Sequence, residues 1–372
     1  MSRNIACVEN CVIGWNWAGI IIDNSWWGHQ NGANNTIQQN SIVNNYEYGI
    51  GMYDSINNTV RRNLLINQSR GIYLYLSKNN LIEENEIEMN TAGWGITLVE
   101  GSSTNTIKEN IIQSGDIGIL MNSSSPNFLI GNQIRNTLEA AISVESCRSG
   151  GSIFSNEITV NFGVALRMSE SKLIRVENNT FHIFDETSPG ILIEETEDCS
   201  FLANQILAAG PGFRLLDSSN LLLSGNVVSS NSSTFLFANS FTKNITLTLF
   251  EEAMNSSLND GSTLKVVPNA SVESEIASMT LYVNNKSLAS TSNPPFELIL
   301  NTNDIGGGNF VVDVEIVFIN GTTVNWMFSL SVQGRPRFST TDSETSSWGI
   351  LGSLLMSLFL IGKRWNTKKR DL

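Results

Sequence analysis

The chain has few residues of the kinds that bind metal ions or close disulfides, with 4 cysteines and 2 histidines among 372 residues. The cysteines lack the paired spacing of a zinc site or a disulfide framework. Cys147 and Cys199 should lie about two turns apart in the repeat described below, too far for a disulfide. We therefore expect four free thiols, no metal and no cofactor; a metal site at Cys7 and Cys11 is the alternative.

Positive charge is also scarce: the chain has 22 Lys and Arg but 35 Asp and Glu, which gives a net charge of −13. This balance argues against nucleic acid as a partner. The first residues, MSRNIACVENCV, have no apolar stretch of the kind a signal peptide needs. They already follow the pattern of a repeat, so we expect further turns, a cap and a signal to precede this sequence.

What the chain does have is a repeat: NNTIQQNSIVNNYEYGIGMYDS (34–55) is followed at once by INNTVRRNLLINQSRGIYLYLS (56–77). After the first step, an Asn in the pattern aliphatic-x-x-Asn-x-aliphatic recurs every 22 to 25 residues. The marked positions are Asn10, Asn40, Asn63, Asn85, Asn110, Asn132, Asn156, Asn179, Asn204 and Asn226. A second marker, a small residue followed by an aliphatic one, keeps pace with the first. Repeats of this period indicate a solenoid or array.

The repeated unit predicts short strands, because apolar residues alternate within it, as at Ile72 and Leu74, and no helical spacing is present. A turn of this size with two or three strands is typical of a parallel β-helix, here with about ten coils. Aliphatic residues three before and two after each marked Asn should form stacked inward rows, for example Ile107 and Ile112. The Asn itself should lie at a bend and hydrogen-bond to its neighbours.

The repeated Asn-x-Ile and Gly-Ile units resemble the right-handed β-helix repeats of pectin-lyase-like proteins, in particular the copper-associated NosD-like group, over about 1–245. The resemblance implies the fold. It does not imply one activity, because relatives include polysaccharide lyases, glycoside hydrolases, adhesins and binding proteins. Copper handling, implied by the NosD-like resemblance, needs His, Met or Cys clusters, and His29 and His182 lie far apart along the rod.

After the repeat, 280–332 alternates apolar and polar residues, with turn signals every 8–12 residues. This pattern predicts a β-sandwich and resembles bacterial-type immunoglobulin-like modules. The predicted fold is therefore all-β: a parallel β-helix, a small β-sandwich and one C-terminal transmembrane helix. The expected parts are a β-helix at 1–245, a connector at 246–262, an immunoglobulin-like sandwich at 263–333, a linker at 334–347, a transmembrane helix at 348–362 and a basic cytoplasmic tail at 363–372.

The anchor is predicted from WGILGSLLMSLFLIGKRW (348–365), which carries no charge before Lys363 and is followed by more Lys and Arg. A membrane partner and a cell-surface location with the N-terminal bulk outside follow from this charge distribution. A cleaved signal or an interfacial helix is the alternative. Acceptor motifs for N-glycosylation outside the strong repeat fit an extracellular glycoprotein; they are Asn244, Asn255, Asn269, Asn285 and Asn320.

Aromatic residues predict the binding site. The chain has 8 Trp and 6 Tyr, and most of them lie in 15–94. Tyr53, Tyr73 and Tyr75 should face outward on adjacent Gly-Ile strands, with Trp94 near their edge. Such a strip is the usual platform for sugar rings, so polysaccharides or surface glycans are the expected partners. Alternatively, the rings cover the sheet against a loop, another subunit or an upstream part of the protein.

A carbohydrate-active enzyme, either a polysaccharide lyase or a glycoside hydrolase, is the runner-up function. It requires converging carboxylates, and the candidates Asp23, Asp54, Glu100 and Asp116 do not share a row. Glu145, Arg167 and Glu194 are expected on one outward row, which a surface ladder of ion pairs explains as well. The sequence therefore favours a surface-anchored protein that binds glycans or surface partners, with a NosD-like copper-associated role third.

Overall fold

The computed structural model describes residues 7–24, 32–90, 92–224, 226–230, 235–238, 243–248, 255–259, 263–267, 276–319, 321 and 323–333. The described residues belong to one compact unit. The predicted anchor at 348–362 and the basic tail lie outside the described residues. Within the described residues, no helix is long and apolar enough to cross a membrane.

Three sheets build this unit, and each turn from β1 to β30 contributes one short strand to each sheet. Sheet A has 13 strands: β1 Cys7–Glu9, β4 Thr36–Gln38, β7 Thr59–Arg61, β10 Leu81–Glu83, β13 Thr106–Lys108, β16 Phe128–Ile130, β19 Gly151–Phe154, β22 Ile174–Glu177, β25 Ser200–Leu202, β28 Ser219–Ser224, β31 Lys243–Thr248, β33 Thr263–Val267 and β36 Leu298–Asn301. Sheet B has 10 strands: β2 Val12–Gly14, β5 Ser41–Val43, β8 Leu64–Ile66, β11 Glu86–Glu88, β14 Ile111–Gln113, β17 Gln133–Arg135, β20 Glu157–Val160, β23 Thr180–Ile183, β26 Gln205–Ala208 and β29 Val227–Ser230.

Sheet C carries the Gly-Ile strands of the repeat and then the antiparallel strands of the C-terminal part. Its 15 strands, in spatial order, are β3 Ala18–Asp23, β6 Tyr48–Tyr53, β9 Arg70–Tyr75, β12 Trp94–Val99, β15 Ile117–Asn122, β18 Ala140–Glu145, β21 Val164–Ser169, β24 Ile191–Glu194, β27 Phe213–Leu216, β30 Phe235–Ala238, β32 Asn255–Asn259, β38 Thr323–Gln333, β37 Gly308–Phe318, β34 Ile276–Val283 and β35 Lys286–Thr291. A single short helix, α1 at Thr302–Ile305, follows β36 among the described residues.

The predicted parallel β-helix is confirmed by the strand register. Each strand of the repeat pairs in parallel with the equivalent strands of the turns before and after it, so Ile82 is aligned with Val60 on one side and Ile107 on the other. All three side chains are fully buried. The inward rows predicted from the Asn marker are the rows that form the core, because alternation along a strand sends every second side chain inside.

From Asn40 to Asn226, the marked Asn residues form a buried hydrogen-bonded ladder between sheets A and B. The prediction was wrong for Asn10, which is exposed: Cys11 holds the equivalent place, and its N–H donates to Oδ1 of Asn40. The backbone N–H of Asn63 donates to Oδ1 of Asn85 at 3.0 Å, and the Asn63 side-chain amide donates to the same oxygen and to the Ile37 carbonyl. A second ladder, not predicted from the sequence, precedes the sheet A strands. It consists of Asn35, Asn58, Asn80, Asn105 and Asn127, all buried. These ladders satisfy the backbone groups that the bends remove from the sheets.

The parallel pairing continues beyond residue 245. Strand β33 pairs with β31, and β32, which lies within the predicted connector, pairs with both β30 and β38. Strands β34, β35, β37 and β38 are antiparallel to one another. One buried core runs from the solenoid into these strands, joining residues such as Val266 and Met279. The C-terminal strands therefore extend the sheets of the solenoid.

Candidate functional site: an aromatic surface on sheet C

The predicted ring residues lie on neighbouring strands of sheet C. In β6, Ile50 and Met52 are fully buried and belong to the core, so the alternate residues face outward. Tyr53 is aligned with Tyr75 in the next turn, and Tyr73 is aligned with Gly51. The register thus places Tyr53, Tyr73 and Tyr75 together. We call these three residues and Trp94 the aromatic strip.

The three tyrosines of the aromatic strip contact one another. The ring centroids of Tyr53 and Tyr73 are 5.7 Å apart, and those of Tyr53 and Tyr75 are 6.2 Å apart. Tyr48 joins them, with its ring 5.0 Å from Tyr73. These separations are within the range of favourable aromatic pairs, so the rings hold each other in place.

Arg70 links Trp94 to these rings. It is aligned with Tyr48 in the preceding turn and with Trp94 in the following one. Its guanidinium carbon lies 5.6 Å from the Tyr48 ring centroid, 5.5 Å from Tyr73 and 5.1 Å from Trp94. Its charge is paired with the Glu47 carboxylate. The arginine therefore fills the gap between two stacked rings as a cation–π partner of both.

Arg70 was not predicted from the sequence, although a signal was present. Tyr48 and Trp94 each directly precede the Gly of the second repeat marker, and Arg70 directly precedes Gly71 at the same place in the turn between them. Stacking of equivalent positions would have placed the cation between the two rings.

Gly51 provides the space in which the rings meet. A Cβ atom on Gly51 would lie 2.7 Å from Cδ1 of Ile21 and 3.2 Å from a ring carbon of Tyr53. The absence of a side chain here lets Tyr48 and Tyr53 approach over the backbone, with their centroids 6.2 Å apart. The glycine thus shapes the outward face of β6.

The hydroxyls of Tyr53 and Tyr73 are held in their neutral form. Partial burial raises the pKa of Tyr53, and the hydroxyl of Tyr48 beside it raises that pKa further. Burial also raises the pKa of Tyr73, with a smaller contribution from Tyr48. Neutral hydroxyls both donate and accept hydrogen bonds. The surface therefore combines apolar ring faces with uncharged polar edges, which is the chemistry that a sugar ring requires.

The candidate carboxylates do not converge. Asp23 ends β3, while Asp54 and Glu100 follow the ends of β6 and β12, so these three lie at the C-terminal ends of strands in sheet C. Asp116 precedes β15 and lies at the N-terminal end of its strand. The structure thus brings the rings together, whereas Asp116 lies at the opposite end of the strands from the other three carboxylates.

The expected row of Glu145, Arg167 and Glu194 is wrong for Arg167, which lies two residues before the row that the two glutamates share. Arg167 is aligned with Ser143 and Leu192, whereas Glu145 and Glu194 are both aligned with Ser169. Arg167 pairs with Glu139 instead. The error arose because each Gly-Ile strand has two outward positions, and alternation alone does not say which of them is aligned with which in the next turn.

The glycosylation candidates fall in the C-terminal part. Asn285 is exposed in the turn between β34 and β35, Asn244 is the second residue of β31, and Asn255 begins β32. Asn269 and Asn320 lie outside the described residues. All four cysteines are free, Cys7 and Cys11 exposed and Cys147 and Cys199 buried.

The repeated strands and the parallel register define a β-helix protein, and the comparisons with known families agree. The family model described as "Periplasmic copper-binding protein (NosD)" matches residues 1–114, and the model "Right handed beta helix region" matches residues 117–270. The chain is therefore a right-handed parallel β-helix protein. No protein of curated function matches the sequence.

Solved structures are similar to this chain at low sequence identity. The A-module of mannuronan C-5 epimerase AlgE6 from Azotobacter vinelandii is 12% identical, covering 70% of this chain and 91% of its own, with a TM-score of 0.45. The tailspike of E. coli bacteriophage HK620 is 12% identical, covering 88% and 73%, with a TM-score of 0.49. The surface adhesin PfbA of Streptococcus pneumoniae is 11% identical, covering 87% and 80%, with a TM-score of 0.42.

Proposed function

We propose that the protein binds glycans through the aromatic strip on sheet C. The observation that carries this proposal is the contact between Tyr53, Tyr73 and Tyr75 on two adjacent strands, which presents several rings on one outward surface. A structural role for the rings alone would not require them to gather on the solvent-facing side of a sheet whose core is already filled by Ile50, Met52 and their equivalents.

Affinity should come from several rings acting together. A single sugar stacked on one ring gains about 1 kcal/mol, so a monosaccharide would bind weakly. The rings lie on successive turns about 4.8 Å apart, and a polymer that engages several of them binds more tightly than its separate units. The ligand expected is therefore an oligosaccharide or polysaccharide.

The test is a glycan array probed with the wild-type protein and with a Tyr53→Ala/Tyr73→Ala/Tyr75→Ala variant whose fold is verified by circular dichroism. The proposal expects the wild type to bind long glycans more strongly than short ones and the variant to lose at least tenfold in apparent affinity. Binding that survives in the variant would place the site elsewhere. A wild-type protein that binds no glycan would remove the proposed function.

We also propose that the protein is displayed outside the cytoplasm, with the C-terminal strands acting as an immunoglobulin-like spacer and 348–362 as a membrane anchor. The description of the NosD family as periplasmic supports the location. Truncation before Trp348 should release the protein from membranes into the medium. A truncated protein that still sediments with membranes would contradict the anchor.

Copper binding is a second candidate, favoured by the NosD match over residues 1–114. Among the residues that the structure describes, no group of three or more His, Cys, Asp or Glu is placed to hold a metal ion. Calorimetric titration with copper separates the two candidates. Binding at a defined stoichiometry would support the NosD-like role, and weak binding without a defined stoichiometry would leave glycan binding as the function.

A further inference from the structure

Three large aromatic side chains are strongly exposed where sheet B turns into sheet C. Trp15 is 83% exposed, Tyr46 75% and Trp17 61%. They lie in the stacked turns that precede β3 and β6: the N–H of Tyr46 donates to the Asn16 carbonyl at 2.8 Å, and the N–H of Glu47 donates to the Trp17 carbonyl at 2.8 Å. We call Trp15, Trp17 and Tyr46 the corner patch.

The backbone of Trp15 is in the left-handed region, with φ of 62°. The equivalent positions in the next two turns are Asn44, with φ of 53°, and Asn67, with φ of 61°. The N–H of Trp15 donates to the Val43 carbonyl, as the N–H of Asn44 donates to the Ile66 carbonyl, so the turns are alike. Asn adopts this conformation readily, whereas a bulky residue is strained in it.

The left-handed angle is shared by many residues of the solenoid, so it does not by itself single out Trp15. What differs is the side chain: a tryptophan with its ring in solvent stands where the next two turns have Asn. Counted from Asn44 and Asn67, Tyr46 and Ser69 hold the same place in their turns, and the Ser69 hydroxyl donates to the Tyr46 carbonyl.

The corner patch is continuous with the aromatic strip. The ring centroid of Trp17 lies 5.4 Å from that of Tyr48, which lies 5.0 Å from that of Tyr73. Strand β6 begins at Tyr48 and ends at Tyr53, a length of roughly 17 Å at 3.3 Å per residue. The rings thus lead from the corner across the full width of sheet C, in addition to following the turns of the rod.

The charges around these rings do not suit an anionic ligand. Arg70, the cation among the rings, is already paired with Glu47. Asp23 is aligned with Tyr53, and the charge of Glu100 acts on Tyr73. The whole chain carries a net charge of −13. An acidic polymer would meet carboxylates beside the rings, whereas an uncharged one would not be repelled.

We propose that the corner patch is a second sugar-binding subsite, continuous with the aromatic strip, and that the ligand is an uncharged polysaccharide lying across the strands of sheet C. This inference rests on the proposed function. The subsite is formed by ring faces of Trp15, Trp17 and Tyr46 and lies at the end of the binding surface most exposed to solvent.

The test uses the neighbouring turns as a guide to substitution. Trp15→Asn and Tyr46→Ser introduce the residues found at the equivalent places in the following turns, so both variants should fold and Trp15→Asn should melt at the same or a higher temperature. Phe162→Ser is the matched control, because Phe162 is 62% exposed in a later turn. Migration of the full chain is measured by affinity electrophoresis in gels containing hydroxyethylcellulose or galactomannan, and alginate or polygalacturonate.

Retardation of the wild type by an uncharged polymer, and a fall in affinity of roughly fivefold for each corner variant, corresponding to about 1 kcal/mol per ring, would support the subsite. Phe162→Ser should migrate like the wild type. Unchanged retardation of Trp15→Asn and Tyr46→Ser, together with loss in the triple tyrosine variant, would overturn the corner subsite and leave the proposed function standing. Stronger retardation by the anionic polymers would overturn the uncharged ligand, and no retardation of the wild type in any gel would overturn both proposals.

Discussion

The guanidinium carbon of Arg70 lies 5.1 Å from the ring centroid of Trp94, its aligned partner in the next turn of the solenoid. The same guanidinium faces Tyr48 in the preceding turn, so one cation joins three consecutive turns of sheet C. Its ion pair with Glu47 is partly exposed and contributes little by itself. The stacking of ring, cation and ring fixes the surface on which the proposed ligand lies.

Replacement of Arg70 should loosen this surface. Arg70→Ala removes a cation that contacts three rings, and we expect a loss of about 2 kcal/mol in the free energy of unfolding together with weaker glycan binding. Arg70→Lys keeps the charge but not the planar group that stacks on aromatic faces, so it should recover only part of the loss. Urea unfolding of both variants measures the effect. Equal stability of Arg70→Ala and the wild type would show that the cation does not support the rings.

Substitutions at two adjacent residues, one buried and one exposed, should differ greatly in their effect on the free energy of unfolding. Ile107 is fully buried in the stacked row, and Lys108 is partly exposed on the outer side of β13. Ile107→Asp places an unpaired charge in an apolar row and should cost roughly 4 kcal/mol, whereas Lys108→Asp should cost less than about 1 kcal/mol. Thermal melting of the two variants gives the comparison. Similar losses for both would contradict the inward and outward rows.

The reactivity of the four cysteines tests which side chains are buried inside the solenoid. Burial raises the pKa of Cys147 to about 11 and that of Cys199 to about 11, and both side chains are inside the fold. Cys7 and Cys11 are exposed. Because the thiolate is the reactive form, we expect Cys7 and Cys11 to react quickly with a thiol reagent near pH 8 and the other two to react only after unfolding. Rapid modification of all four cysteines in the native protein would contradict the burial of Cys147 and Cys199.

Stability at alkaline pH should depend on the aromatic strip. Burial raises the pKa of Tyr53 and of Tyr73 above the ordinary value of about 10. Between the unfolded and folded pKa values, the folded state holds protons that the unfolded state has released. The stabilisation is therefore complete below about pH 10 and is lost as the pH rises from there through the folded pKa. Urea unfolding across this range should show a decline that Tyr53→Phe reduces and that Tyr46→Phe, an exposed control, does not.

A decline of the same slope in the wild type and in Tyr53→Phe would show that the tyrosine cluster does not hold its protons more tightly than the unfolded chain.

The solenoid could be predicted from the sequence because one pattern recurs in many turns, and each copy indicates the same arrangement of strands. The Asn marker alone located the buried ladder and, by counting three residues back and two forward, core residues such as Ile107 and Ile112. The second ladder, which includes Asn58 and Asn105, was not predicted, because each of these residues sits among other turn-forming residues that give no periodic contrast.

The site was harder to predict than the fold. Alternation along strands placed Tyr53, Tyr73 and Tyr75 on one surface, but the contacts between rings depend on side-chain directions that alternation does not specify. Arg70 was missed because a charged residue between aromatic ones is ordinarily assigned to solvent. The exposed ring of Trp15 was missed for a different reason: alternation along strands does not predict the exposure of a residue in a turn.

A crystal structure of the full chain with an oligosaccharide chosen from the glycan array would show where the ligand lies. We expect sugar rings stacked on Tyr53, Tyr73 or Tyr75, outside β6 and β9, with Arg70 still between Tyr48 and Trp94. Sugar bound on sheet A or sheet B, with the tyrosine rings uncovered, would contradict this expectation.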